Sequence, residues 1–169
     1  GRLECFHKGI DVLIDVIKEN KWQKRNIEFN LYGNGPHKTI IKKLIQIKDI
    51  KNLNLIGFVT DKTQIWKNNH ILILPSRMEG QSISLSEALF FKRTVIGTDV
   101  GGIREFIEDN VNGFICKYAN PSDLDDAMER AWNRRNEWYE LGLKAHESWI
   151  KKVPSDPADY FKNKILKLI

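Results

Sequence analysis

Short apolar runs alternate with segments of helical spacing along the first 116 residues, and this alternation restricts the possible folds more than any other feature of the chain. IEFNLY at 27–32, LNLIGF at 53–58, ILILP at 71–75, TVIGT at 94–98 and NGFIC at 112–116 read as strands bounded by turn residues. Between them, residues 8–20 set Ile10, Leu13, Ile14 and Ile17 on one helical face, and residues 37–48 do the same with Ile40, Ile41, Leu44 and Ile45. Shorter helices are expected at 61–67, 82–91 and 101–107. Strands alternating with helices, without an internal repeat, predict an α/β fold with a doubly wound parallel sheet covered by helices on both faces. From Pro121 the pattern is helical only. PSDLDDAMERAW opens on a helix start signal, EWYELGLKAHESW continues the spacing, and Pro154 and Pro157 break the chain before a last helix from about Ala158. The expectation is one domain over 1–169, with a core at about 1–120 and a helical tail at about 121–169.

With 169 residues, 41% of them hydrophobic, such a domain can bury roughly 70% of the surface its unfolded chain exposes. Cys5 and Cys116 lack CxxC or His-rich spacing and read as ordinary thiols of a reducing, cytoplasmic compartment. No signal peptide or apolar run of membrane-spanning length is visible. Gly1-Arg2, without a methionine or a lead-in strand, reads as the start of a piece cut from a larger protein. The net charge of +5, from 27 Lys and Arg against 22 Asp and Glu, favours anionic partners. Nucleic acid is not expected, because the basic residues are spread out, Lys42-Lys43 and Lys151-Lys152 being the densest runs, and no element interleaves them with aromatics.

Phosphate is the better-placed anion. A strand that leads through a loop into a helix leaves unpaired N–H groups and the positive end of the helix dipole aimed at one place, on the sheet edge where open α/β sheets bind ligands. Three junctions qualify: Gly33-Asn34-Gly35, residues 79–82, and Asp99-Val100-Gly101-Gly102. Arg2 and Lys8, flanking LECFH, could reach the same diphosphate. The middle junction, EGQSISLSE at 79–87, carries a carboxylate at each end. Glu87 with Ser84 fits the Ser-x-x-Glu capping box, which needs no ligand. Glu79 lies before the helix beside a glycine, where no cap accounts for it.

Other signals fail on inspection. Gly33-Asn34-Gly35 begins like a dinucleotide fingerprint, but Lys38 stands where the third glycine belongs. Asp123-Leu124-Asp125 imitates a DxD metal signature, yet it follows Pro121-Ser122 at a helix start, where acidic residues favour the dipole. His7 and His37 are lone loop histidines and receive no catalytic role.

Taken in order, GRL and KGID at the start, YGNGP, GFV, PSRMEG with the second glutamate at Glu87, and DVGGIRE resemble the carboxy-terminal, donor-binding half of glycosyltransferase family 4 enzymes of the GT-B fold. That resemblance implies a Rossmann-like domain facing an acceptor-binding, amino-terminal domain that is absent from this chain. The activity it implies is transfer of a sugar, with retention of configuration, from a UDP-, GDP- or ADP-sugar to a polysaccharide, lipid-linked or other glycan. Location would be cytoplasmic, at the inner face of the bacterial membrane where the acceptor is lipid-linked.

By the same resemblance, Glu79 lies beside the transferred sugar and Glu87 holds the ribose hydroxyls. Gly80, Gln81, Ser82 and Ile83 face the diphosphate, and Gly57, Phe58 and Val59 border the base. Gly33 and Gly35 form a turn near the donor, and Arg2 and Lys8 neutralise the departing nucleotide in place of a metal or other cofactor. Gln81-Ser82 stands where the family commonly has Phe-Gly, and Lys92 and Thr94 where it usually has glycine and proline. The alternatives are a sugar-nucleotide epimerase of the same fold and a nucleotide-binding module without catalysis.

Overall fold

The structure, a computed structural model, describes residues 1–154 and 156–166. Helices α1 (Cys5–Lys8), α2 (Ile10–Ile17) and α3 (Asn20–Lys24) precede strand β1 (Phe29–Tyr32). Then α4 (Lys38–Ile47), β2 (Leu53–Gly57), α5 (Lys62–Lys67), β3 (Ile71–Leu74), α6 (Ile83–Phe90), β4 (Thr94–Thr98), α7 (Ile103–Phe106) and β5 (Phe114–Cys116) alternate. The tail comprises α8 (Pro121–Asn133), α9 (Trp138–Lys152) and α10 (Pro157–Leu166). Every strand pairing is parallel, as the alternation predicts. The strands form two sheets, however, β1-β2 and β3-β4-β5, and β1 does not pair with β3.

Local signals set most of these boundaries. Asp61 accepts from the Thr63 amide at 2.9 Å to start α5, and Asn120 accepts from the Asp123 amide at 2.9 Å, with Pro121 in the first turn of α8. β4 is buried at every position, in keeping with an inner strand covered on both faces. One apolar cluster joins α2, α4 and α8 through Ile14, Ile17, Ile41, Leu124 and Met128, with Trp22 packed edge-on to Phe29 and Trp132. A second joins α6, α7 and α9 through Leu85, Leu89, Phe106 and Ala145. Helices α8 and α9 therefore cover the sheet as part of the core. Burial pushes the Cys116 thiol up to about 11, so it stays protonated and unreactive at neutral pH.

The helix expected over 8–20 is divided. Gly9 adopts φ +62 in the left-handed region, ending α1 and starting α2, and a Cβ there would lie 1.8 Å from the Pro75 carbonyl oxygen. The spaced positions Ile10, Leu13, Ile14 and Ile17 all lie in α2, while α1 buries none of its own residues. Close approach to Pro75 requires the glycine.

Lys92, at the position where the resembled family has glycine, also has a positive φ, +58. The Arg93 amide donates to Ala88 O at 2.8 Å and the Lys92 amide to Leu89 O at 3.1 Å, the paired bonds of a Schellman ending, which suits glycine. A left-handed L-residue costs about 1–2 kcal/mol, offset in part by the chain entropy glycine loses on folding. Lys92→Gly is thus expected to raise stability by about 0.5–1 kcal/mol, read from urea midpoints. An unchanged or lower midpoint would contradict this account of the turn.

Candidate functional site

The carboxyl ends of β1, β2, β3 and β4 converge on one edge, and the loops leaving them enclose a charged opening. After β3 the chain turns through Pro75 and Ser76 to Glu79, then enters α6. Ser82 has extended backbone (φ −73, ψ 118) and its hydroxyl accepts from the Leu85 amide at 3.4 Å. Ser82 is therefore the cap, and the Ser84–Glu87 capping box is overturned. Ser84 sits inside the first turn, where it cannot take the extended conformation a cap requires. Glu87 is left to project from the second turn, its carboxylate 3.5 Å from Lys62 Nζ.

Glu79 is held from two sides. Its Oε2 accepts from Lys8 Nζ at 2.6 Å and from the Ser76 hydroxyl at 3.4 Å. The carboxylate is mostly buried, at 17% side-chain exposure against 32% for Lys8, so this pair is better shielded than a surface ion pair. Lys8 reaches Glu79 because α1 is a separate turn clamped in place. Arg77 donates to both Asp11 oxygens at 2.9 and 2.7 Å and to the Cys5 carbonyl at 3.1 Å. Glu4 caps the same turn, accepting from the His7 amide at 3.1 Å and bonding His7 Nδ1 at 2.6 Å.

Of the three junctions expected to bind anions, two are filled by the chain itself. Leu3 O accepts from the His37 amide at 3.2 Å and Asn34 O from the Leu3 amide at 3.0 Å, so the opening segment occupies the start of α4. Gly33 and Gly35 permit that seating, since a Cβ would lie 1.7 Å from Gly1 O and 2.3 Å from Leu3 O respectively. His37 is structural, its Nδ1 accepting from the Cys5 amide at 3.0 Å. In the third junction, the Gly102 amide donates to Gly80 O at 3.1 Å and Asp99 pairs with Arg104 at 2.7 Å. Gly101 lets this loop rest on Glu79 and Gly80, and Gln81 covers Gly102. The start of α6 remains open, with the free first-turn N–H groups and positive dipole end that suit an anion.

Two hollows flank that helix start. A cavity of about 450 Å³ is lined at its mouth by Arg2, Lys8, Phe58, Val59, Lys62, Glu79, Ser82, Ser84 and Glu87. A shallower one of about 700 Å³ is lined by Arg2, Glu4, His7, Lys8, Arg77, Met78, Glu79, Gly80, Val100 and Gly101. Arg2, Lys8 and Glu79 border both. Arg2 is exposed and unpaired among the described residues. Phe58 is also exposed, and Gly57, at φ +90, accepts from the Gly33 amide at 2.7 Å, tying this rim to the opening loop. Ile83 stands exposed at the helix start.

Lys62 lines the same opening, a position that sequence reading missed. Its signal was present, a lysine directly after the Asp61 cap in the loop that follows GFV. The aspartates of the DxD-like run have separate partners: Asp123 accepts from the Tyr118 amide at 3.0 Å, whereas Asp125 accepts from Trp22 Nε1 at 2.7 Å and pairs with Lys21. Among the described residues no group of three or more His, Cys, Asp or Glu could hold a metal ion, and no helix is long and apolar enough to cross a membrane.

Comparison with known proteins adds identity to this geometry. The family described as glycosyl transferases group 1 matches residues 1–134. A poly(ribitol-phosphate) alpha-N-acetylglucosaminyltransferase of Staphylococcus aureus strain COL is 32% identical over 151 residues, 88% of this chain and 31% of that protein. An alpha-D-kanosaminyltransferase of Streptomyces kanamyceticus is 26% identical, over 77% of this chain and 34% of that protein. Among solved structures, a mutant of TarM from S. aureus, in complex with fondaparinux, alpha-GlcNAc-glycerol and UDP, superposes with a TM-score of 0.87 at 31% identity, covering 99% of this chain and 34% of that one. HepE from Anabaena in complex with UDP matches in fold, with a TM-score of 0.85 at 18% identity over 100% of this chain and 47% of that one. The chain thus spans about a third of the length of the curated relatives named here.

Proposed function

The chain belongs to the glycosyl transferases group 1 family, a GT-B family by its structural neighbours, and from that premise we propose that it is the donor-binding part of a retaining glycosyltransferase. The donor is a nucleotide diphosphate sugar, UDP-linked in the first instance, and the acceptor is a glycan held by a domain outside this chain. The observation that carries this reading is the open start of α6, set between two glutamates and faced by Arg2 and Lys8.

In this reading the nucleoside enters the mouth of the deeper cavity. Phe58 and Val59 border the base, and Glu87 accepts from the ribose hydroxyls, Lys62 moving aside or bridging to phosphate. The diphosphate lies at the amides of Ser82 and Ile83. A lysine ammonium carries three donors, so Lys8 can keep Glu79 and still donate to a phosphate oxygen. Glu79 then accepts from the sugar's hydroxyls in the shallower hollow beside Gly80 and Met78. As the sugar–phosphate bond breaks, negative charge grows on the diphosphate, and Arg2, Lys8 and the helix amides are already aimed at it. Preorganised donors of this kind do the work a divalent cation does elsewhere. The S. aureus structure named above holds UDP, which supports starting with uridine.

Calorimetric titration of the chain with UDP, GDP, ADP and UDP-sugars, with and without a chelator, tests the proposal. At least one nucleoside diphosphate is expected to bind, with affinity nearly unchanged when divalent cations are removed. Strict dependence on Mg²⁺ or Mn²⁺ would contradict charge neutralisation by Arg2 and Lys8. Sugar transfer to an added acceptor is not expected from this chain alone, because catalysis needs both reactants held in register.

A further inference from the structure

A third and much smaller cavity, of about 10 Å³, lies between Glu79 and the core, lined by Ser76, Ser82 and Thr98 together with Leu85 and Ile103. Four elements meet there, the carboxyl ends of β3 and β4 and the starts of α6 and α7. The three hydroxyl residues are removed from solvent, Ser76 and Thr98 at 2% exposure and Ser82 at 8%. Ser76 donates to Glu79 Oε2, Thr98 donates to Leu74 O, and Ser82 accepts from the Leu85 amide, each at 3.4 Å. Such bonds ordinarily run at about 2.7–3.0 Å, and a hydroxyl offers one donor and two acceptor positions. All three groups therefore hold hydrogen-bonding capacity that their protein partners use weakly.

A cavity of about 10–15 Å³ is enough for one water, given two to four polar partners. We propose that this cavity is a binding site for a single water molecule, which links Ser82 and Thr98 to Ser76 and thereby sets the carboxylate of Glu79. The donors and acceptors balance. The Ser82 oxygen already accepts from Leu85, so its O–H donates to the water. The water gives its two hydrogens to the oxygens of Ser76 and Thr98, whose own O–H groups point at Glu79 Oε2 and Leu74 O. A hydroxyl that accepts a hydrogen bond becomes a stronger donor, so the water strengthens the long Ser76 contact to Glu79.

The consequence is a carboxylate with unequal oxygens. Oε2 is held by Lys8 and Ser76, which leaves Oε1 to accept from a sugar hydroxyl. Thr98 bonds to Leu74 rather than to Glu79, and acts on the donor site through the water alone, as a positioning residue. This role rests on the proposed placement of the sugar at Glu79.

The test is Thr98→Val, which keeps the branched shape and removes the oxygen, beside Thr98→Ser, which keeps the oxygen. Stability is not the readout, since Thr98→Val also loses the bond to Leu74 O. In calorimetric titration, Thr98→Val should lower affinity for a UDP-sugar by about three- to tenfold, the scale of one neutral hydrogen bond, leave UDP affinity unchanged, and be rescued by Thr98→Ser. In the Glu79→Gln background the same substitution should add no further sugar-specific loss. A high-resolution crystal structure of the chain should show one ordered water within hydrogen-bond distance of Ser76, Ser82 and Thr98, absent from Thr98→Val. A dry cavity would overturn the proposal, as would equal losses of UDP and UDP-sugar in Thr98→Val. Should Glu79→Gln itself lower both affinities alike, the placement of the sugar fails, and the crystal structure decides the water site separately.

Discussion

Gly9→Val should lower folding stability by about 2–6 kcal/mol, the sum of about 1–3 for a strained left-handed residue and about 1–3 for overpacking. Both contributions come from one place. Gly9 has φ +62, which a β-branched residue rarely adopts, and its absent Cβ would lie 1.8 Å from Pro75 O. The backbone there can yield only by moving α1 away from the loop after β3. That movement would carry Lys8 off Glu79, so the part of the population that still folds should also bind nucleotide less well. Urea unfolding and titration of the same sample with UDP measure the two losses together. A stability change under about 1 kcal/mol would mean that α1 can shift freely, and the argument that Gly9 fixes Lys8 would fail.

Gly9 also marks where sequence reading reached its limit. Helical spacing through Ile10, Leu13, Ile14 and Ile17 located the buried face correctly, because periodicity reports which side is buried. It carries no information about a break at Gly9, which falls before the first of those positions. The division into α1 and α2 depends on Pro75, some 65 residues away, and such a contact leaves no local trace.

The phosphate junctions show the same limit in another form. Three strand-to-helix turns carried glycines, and local chemistry could not rank them. Tertiary packing did so, by laying Leu3 across the start of α4 and Gly80 against Gly102, which leaves the start of α6 open. The capping box failed for a related reason: Ser82 and Ser84 are both plausible caps in sequence, and only the backbone angle distinguishes them. Strand direction was legible because the alternation of elements determines it. The gap between β1 and β3 was not, since each strand's apolar pattern is the same whether or not its edge is paired.

With Ser82 as the cap, Glu87 can be tested free of its competing role. Glu87→Gln should cost about 1.5–3 kcal/mol in nucleotide affinity, roughly 10- to 150-fold, the scale of a hydrogen bond to a charged group. Stability should change little, because the carboxylate's partner is a partly exposed lysine 3.5 Å away and such pairs contribute about 0–1 kcal/mol. Glu79→Gln should behave differently. Its proposed partner is the sugar, so UDP-sugar affinity should fall while UDP affinity is largely kept, and any loss shared by both ligands reports the freed Lys8. That shared part should be small, because an unpaired ammonium beside a phosphate is attracted to it more strongly, not less. Equal losses for UDP and UDP-sugar in Glu79→Gln would reject the placement of the sugar at Glu79, and unchanged UDP affinity in Glu87→Gln would reject the ribose contact. All four titrations belong at one salt concentration, since screening alone alters phosphate binding.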